Sequence, residues 1–143
     1  MIEWKRYRTV TDDSVIRAVE QRTGRRLPPE YVQTALTHSG GVPLQRLFTV
    51  QEQDKVFNRL ISLSPDQHPN LLDALAWAEH IPGRTVIPFA TDVFGGLICF
   101  SFLTASFYSV VWADTETGAV TPIAGSFTDF LECLKAQQGG GHG

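Results

Sequence analysis

Val86-Ile87-Pro88-Phe89-Ala90, Leu97-Ile98-Cys99-Phe100-Ser101-Phe102, Tyr108-Ser109-Val110-Val111-Trp112-Ala113 and Ala119-Val120-Thr121-Pro122-Ile123 are the runs whose reading decides the fold. Each is short and rich in β-branched or aromatic residues, and glycine or small polar residues separate it from the next, which is the pattern of consecutive strands. Asp114-Thr115-Glu116-Thr117-Gly118 reads as a hairpin loop closed by glycine. Connections this short pair neighbouring strands antiparallel, because a parallel crossover needs a dozen or more residues.

Working outward, residues 43–50 and 56–63 are two further apolar runs around Gln51-Glu52-Gln53-Asp54, a polar connection suited to a hairpin. Helical patterns flank and interrupt the strands. Thr11 and Asp12 offer capping oxygens before the stripe Val15, Ile16 and Val19, and Gly24 closes that helix. Leu27-Pro28-Pro29-Glu30 opens a second helix carrying Tyr31, Val32, Ala35 and Leu36. Asn70 caps a middle helix with Leu71, Leu72 and Leu75, and Pro82-Gly83 stops it. Ser126 and Asp129 form a capping box before Phe127, Phe130, Leu131 and Leu134. The expected class is α+β: a mostly antiparallel sheet of five or six strands packed with N-terminal, middle and C-terminal helices. Residues 1–136 are expected to form one domain, and Gln-Gln-Gly-Gly-Gly-His-Gly at 137–143 a flexible Gly-rich tail.

The chain has 143 residues, 43% of them apolar and 19% charged, with a net charge of -3. A domain of this size buries roughly two-thirds of the surface its unfolded chain exposes and needs no metal or disulfide to hold it together. The composition is too apolar for disorder, and the charge gives no global basic field for direct nucleic-acid binding. The charge is unevenly placed. Seven of the twelve basic residues lie in the first thirty positions, whereas residues 85–134 contain no Lys or Arg but five acids: Asp92, Asp114, Glu116, Asp129 and Glu132. The N-terminus lacks the apolar run of a signal peptide. The uncharged stretch 93–113 is long enough to span a bilayer, but its Gly95-Gly96 and four Ser or Thr residues suit strands rather than a membrane helix. Cys99 and Cys133 sit among apolar neighbours and read as buried free thiols. A cytoplasmic chain without membrane attachment is expected.

His38, His68, His80 and His142 are scattered, without the i, i+4 pairing of a helical zinc site, and no Cys-x-x-Cys occurs, so neither metal nor cofactor is expected. Cys99 lies in an apolar strand, the opposite of a reactive cysteine's surroundings. Asp114 and Glu116, two apart, could project to one side of an extended loop, but nothing cationic accompanies them in that third of the chain, and no enzyme is expected. An acidic face without a catalytic set is suited to a basic protein partner, drawn in by electrostatic steering. Asp92, Trp112, Asp114 and Glu116 are the candidate partner-binding residues, with Trp112 as an aromatic anchor beside the charges.

Several motifs, in order, resemble one known family. Leu27-Pro28-x-x-Tyr31 after Gly24 and Ser39-Gly40-Gly41-Val42-Pro43 resemble the opening of the SUKH superfamily. Ile87-Pro88-Phe89-Ala90-Thr91-Asp92 before Gly95-Gly96, Val110-Val111-Trp112 through Glu116, and Ala124-Gly125-Ser126-Phe127-x-x-Phe130-Leu131 resemble its later segments. Ser39, Gly96 and Ser101 depart from the pattern, standing where Asn, a polar residue and Asp are usual. The resemblance implies an α+β fold without catalysis. It also implies, in bacteria, an immunity protein that binds and neutralises a cognate toxin domain, frequently a nuclease. Fungal members of the superfamily imply the alternative, a non-catalytic regulatory or scaffolding module binding a cellular protein.

Overall fold

The computed structural model describes residues 2–105 and 107–136; the Gly-rich segment 137–143 lies outside them. The element order is β1 (Trp4–Lys5), α1 (Ser14–Thr23), α2 (Pro29–Thr37), β2 (Val42–Pro43), β3 (Gln45–Val50), β4 (Gln53–Leu60), α3 (Leu71–Ala78), β5 (Thr85–Asp92), β6 (Leu97–Phe102), β7 (Tyr108–Ala113), β8 (Val120–Ala124), α4 (Phe127–Cys133) and β9 (Lys135–Ala136). The main sheet runs β8-β7-β6-β5-β4-β3-β9, and every neighbouring pair in it is antiparallel. The α+β class with six substantial strands follows the sequence reading, and the two-residue β9 is an addition at the edge. The sheet curls until β3 and β8 approach each other. Pro122, central in β8 and exposed, occupies the opposite edge of the ladder from β9.

Period-two alternation explains how one sheet serves two cores. Ile98, Phe100 and Phe102 of β6 enter the main core with Ile87, Phe89 and Val110, under α1, α2 and α4, whereas Cys99 turns to a smaller cluster with Val86, Val111 and Ala78. The main core is built on aromatic rings. Tyr31 packs edge-on against Phe100, Phe127 and Phe89 at centroid distances of 5.0, 5.4 and 5.6 Å, and Phe89 stacks on Phe100 at 4.3 Å. Such pairs contribute about 0.5–1.5 kcal/mol each beyond the area they bury.

The helix boundaries follow from their caps. Gly24 adopts φ 69° at the end of α1, as expected there. At the start of α1 it is Asp12 Oδ1 that accepts from the Ser14 amide at 2.8 Å, an Asx turn rather than a side-chain cap. Asn70 and Asp73 form a reciprocal capping box on α3, while at α4 only Ser126 accepts from the Asp129 amide.

Three departures from the sequence reading have physical causes. The hairpin between β3 and β4 turns on two residues, Gln51 (φ 49°) and Glu52 (φ 69°), not four. Two left-handed residues match the right-handed twist of the strands, so Gln53, Asp54 and Lys55 extend the ladder although their polarity hides them from hydropathy patterning. Residues 61–63 lie beyond the strand, yet Ile61 and Leu63 are buried, Ile61 N–H still donating to Phe89 O at 2.9 Å and Leu63 joining the main core. Finally, Cys99 is buried but Cys133 is exposed, since the last turn of α4 presents its 133 position to solvent.

Candidate functional site

Antiparallel order places three turns at one end of the sheet: Gln51-Glu52 between β3 and β4, residues 93–96 between β5 and β6, and residues 114–119 between β7 and β8. Val93 N–H donates to Val56 O at 2.9 Å, tying the second turn to the strand that leaves the first.

Asp92 organises this end from within. It is 2% exposed. Its Oδ1 accepts from the amides of Phe94 and Gly96, both at 2.8 Å, and its Oδ2 accepts from Trp112 Nε1 at 2.7 Å. A buried carboxylate is tolerated when charge-assisted hydrogen bonds replace its hydration, and three donors do so here. Two glycines make the arrangement possible. Gly95 sits at φ +91°, a conformation L side chains rarely adopt, and a Cβ on Gly96 would lie 2.5 Å from both Asp92 Oδ2 and Trp112 Nε1. No side chain at position 96 could be accommodated in this packing.

The sequence-derived residues therefore take different roles. Asp92 is buried, and both its carboxylate oxygens are engaged inside the protein. Trp112 is half-buried against the main core, its indole N–H on Asp92 and its face under Lys55 Nζ, 4.4 Å from the ring centroid. Part of the Trp112 ring is thus engaged in internal packing, and part stays accessible. Lys55 also supplies a cation where the sequence stretch 85–134 has none, because β4 brings it across the curled sheet. Asp114 is partly exposed, and its Oδ1 accepts from the Glu116 amide at 2.8 Å. The loop is thus turned, not extended, and the two carboxylates are not presented as an acid and base pair. Glu116 is exposed and lines a shallow cleft of about 320 Å³ with Trp77, His80 and Pro82, one that includes neither Asp92 nor Asp114.

Sequence reasoning missed Val93 and Phe94. Phe94 is 78% exposed and Val93 43%, at the tip of the turn that Asp92 holds. The signal was available: an apolar pair between an aspartate and Gly-Gly must occupy a turn tip, where neither side chain can reach a core. Glu52 and Asp54 on one flank are exposed, as is Glu116 on the other. The composite surface is an apolar tip flanked by two carboxylate-bearing turns.

Elsewhere, a cleft of about 500 Å³ contains Arg59, Ser62, Gln67 and His68. His68 Nδ1 lies 2.6 Å from Asp73 Oδ2, while Ser62 Oγ donates to Gln67 Oε1 at 3.0 Å, so hydroxyl and imidazole are engaged with separate partners. No group of three His, Cys, Asp or Glu residues placed to hold a metal occurs among the described residues. Nor, among them, is any helix long and apolar enough to cross a membrane.

Comparison with known families gives a match to the SMI1 / KNR4 family (SUKH-1) over residues 11–133. No curated protein matches the chain.

Proposed function

The chain belongs to the SMI1 / KNR4 family (SUKH-1), and from that premise we propose that it is an immunity protein that binds a cognate bacterial toxin domain and neutralises it by direct contact. The family includes toxin-immunity proteins and fungal cell-wall regulators, and its members are generally non-catalytic. The observation that carries the reading is the end of the sheet where the segments carrying Glu52 and Asp54 on one side and Asp114 and Glu116 on the other flank an exposed apolar turn. A basic toxin, such as a nuclease whose active surface carries Lys and Arg to hold phosphates, is complementary to that end. Clustered carboxylates raise the rate of encounter with such a partner, and the rate falls as salt screens the charges. Neutralisation takes place in the cytoplasm, with the acidic end on the toxin and no nucleic acid bound by this chain.

Co-expression with the toxic domain encoded beside this chain's own gene tests the proposal. Wild-type chain restores growth. The double variant Asp114→Lys, Glu116→Lys binds about tenfold more slowly at low salt and with a flatter salt dependence. Failure of the wild type to protect against the neighbouring toxin sinks immunity. Unchanged kinetics in the double variant would remove the acidic end from the interface.

A further inference from the structure

Phe94 has the highest exposure of the large hydrophobic side chains among the described residues, yet its backbone amide is tied down within a hydrogen-bonded turn. Asp92 Oδ1 accepts from its amide at 2.8 Å, Asp92 N–H donates to Gly96 O at 2.9 Å, and Val93 N–H donates to Val56 O at 2.9 Å. A phenylalanine serving the fold would be expected to pack inward, as Phe89, Phe100 and Phe102 do. Phe94 instead stands out from a turn whose conformation a buried carboxylate and two glycines fix in advance.

Preorganisation of this kind favours association, since little backbone freedom remains to be lost and a phenylalanine has only two side-chain torsions to settle. The surroundings select the partner's character. Glu52 and Asp54 belong to the neighbouring hairpin on one side, and Asp114 and Glu116 to the loop on the other. An apolar projection with an acidic border is complementary to an apolar pocket with a basic border. Interfaces concentrate their affinity in such central, desolvated aromatic anchors, while charges at the rim act mainly on encounter.

We propose that Phe94, supported by Val93, is the anchor that inserts into an apolar pocket rimmed by Lys and Arg on the toxin. This rests on the immunity reading, and it assigns affinity to the apolar tip and speed to the carboxylates.

The experiment measures binding of the neighbouring gene's toxic domain, carried as an inactivated variant, to wild type, Phe94→Ala and Phe94→Leu. Melting temperatures are recorded in parallel. Phe94→Ala raises the dissociation constant about 30-fold or more. The loss resides in dissociation, the association rate stays within about twofold of wild type, and the melting temperature is unchanged because the ring makes no core contact. Phe94→Leu keeps most of the affinity. If wild type binds and Phe94→Ala binds within about threefold of it, the anchor assignment is overturned while immunity stands. A loss of binding that tracks a fall in melting temperature also overturns it, by giving Phe94 a folding role. If wild type does not bind, both readings fall together.

Discussion

A single carboxylate governs the acidic end of the molecule without facing solvent. Asp92 satisfies two backbone donors and one indole, so any change to it acts on the shape of the 93–96 turn before it acts on charge. In Asp92→Asn the amide nitrogen must face a donor whichever way it is turned. One buried N–H then loses its partner, and the expected destabilisation is about 2–3 kcal/mol. Gly96→Ala should cost a similar amount, about 1–3 kcal/mol, because its Cβ overlaps the same carboxylate and indole. Urea denaturation checks both, and a value within 0.5 kcal/mol of wild type for either, roughly the level of neutral surface substitutions, would contradict the role given to Asp92. The sequence singles out Asp92 as one acid of a stretch without Lys or Arg. A carboxylate in a chain segment lacking Lys and Arg reads as solvated, and the donors that make it a buried acceptor, two amides of its own turn and the Trp112 indole, are not revealed by composition.

At the level of elements, α3 begins with the most complete cap in the protein, and that cap titrates. The Asn70 side chain accepts from the Asp73 amide, and Asp73 Oδ2 accepts from the Asn70 amide while lying 2.6 Å from His68 Nδ1. Asn70→Ala should lower stability by about 1 kcal/mol. The backbone hydrogen bond from Asn70, followed by the hydrogen bond and charge of His68, holds the Asp73 carboxyl below the ordinary value of 3.8. A lowered pKa means that the ionised group stabilises the folded state above pH 3.8, and that this contribution disappears as the pH falls through the folded-state value. Asp73→Asn removes that titration, so its melting temperature should decline less between pH 5 and pH 2 than that of wild type. Equal declines would exclude Asp73 from the acid response. Elements with strong local signals, such as this cap, Gly24 and the apolar runs of β5 to β7, could be read from the chain directly. The Gln51-Glu52 turn could not, because side chains ordinarily reluctant to adopt positive φ take it here under the demand of strand twist. The short pairings of β1 with β2 and of β9 with β3 were equally silent, being fixed by tertiary position rather than by two residues' preferences.

For the molecule as a whole, the two thiols report on different depths. Burial pushes the Cys99 thiol far above its ordinary value, whereas Cys133 is open to solvent. In the native state a thiol reagent should label Cys133 quickly, and Cys99 only when the sheet between the two clusters opens. The Cys99 labelling rate should therefore follow global unfolding and rise in step with denaturant. Rapid native labelling at both positions would mean that the smaller cluster opens independently. That outcome was not legible from the chain, where both cysteines had apolar neighbours; sequence adjacency does not tell which side of a short helix faces the interior. The α+β class was legible because the turn residues and strand periods agree with one another over most of the length. The acidic end was only half legible: its charges could be counted and its Phe94 tip lay within reach of turn chemistry, but its Lys55 depends on which strands the curl brings together.

The proline in the middle of β8 has a bearing on how much of this protein a cell can hold. An outer strand offers unpaired amides to any similar strand that drifts past, and Pro122 has no amide to offer. At the far side of the ladder, β9 is two residues long and gives a visitor little to pair with. Strand-by-strand polymerisation is discouraged at both margins. Blunted margins let folded copies accumulate at high concentration without pairing into fibres.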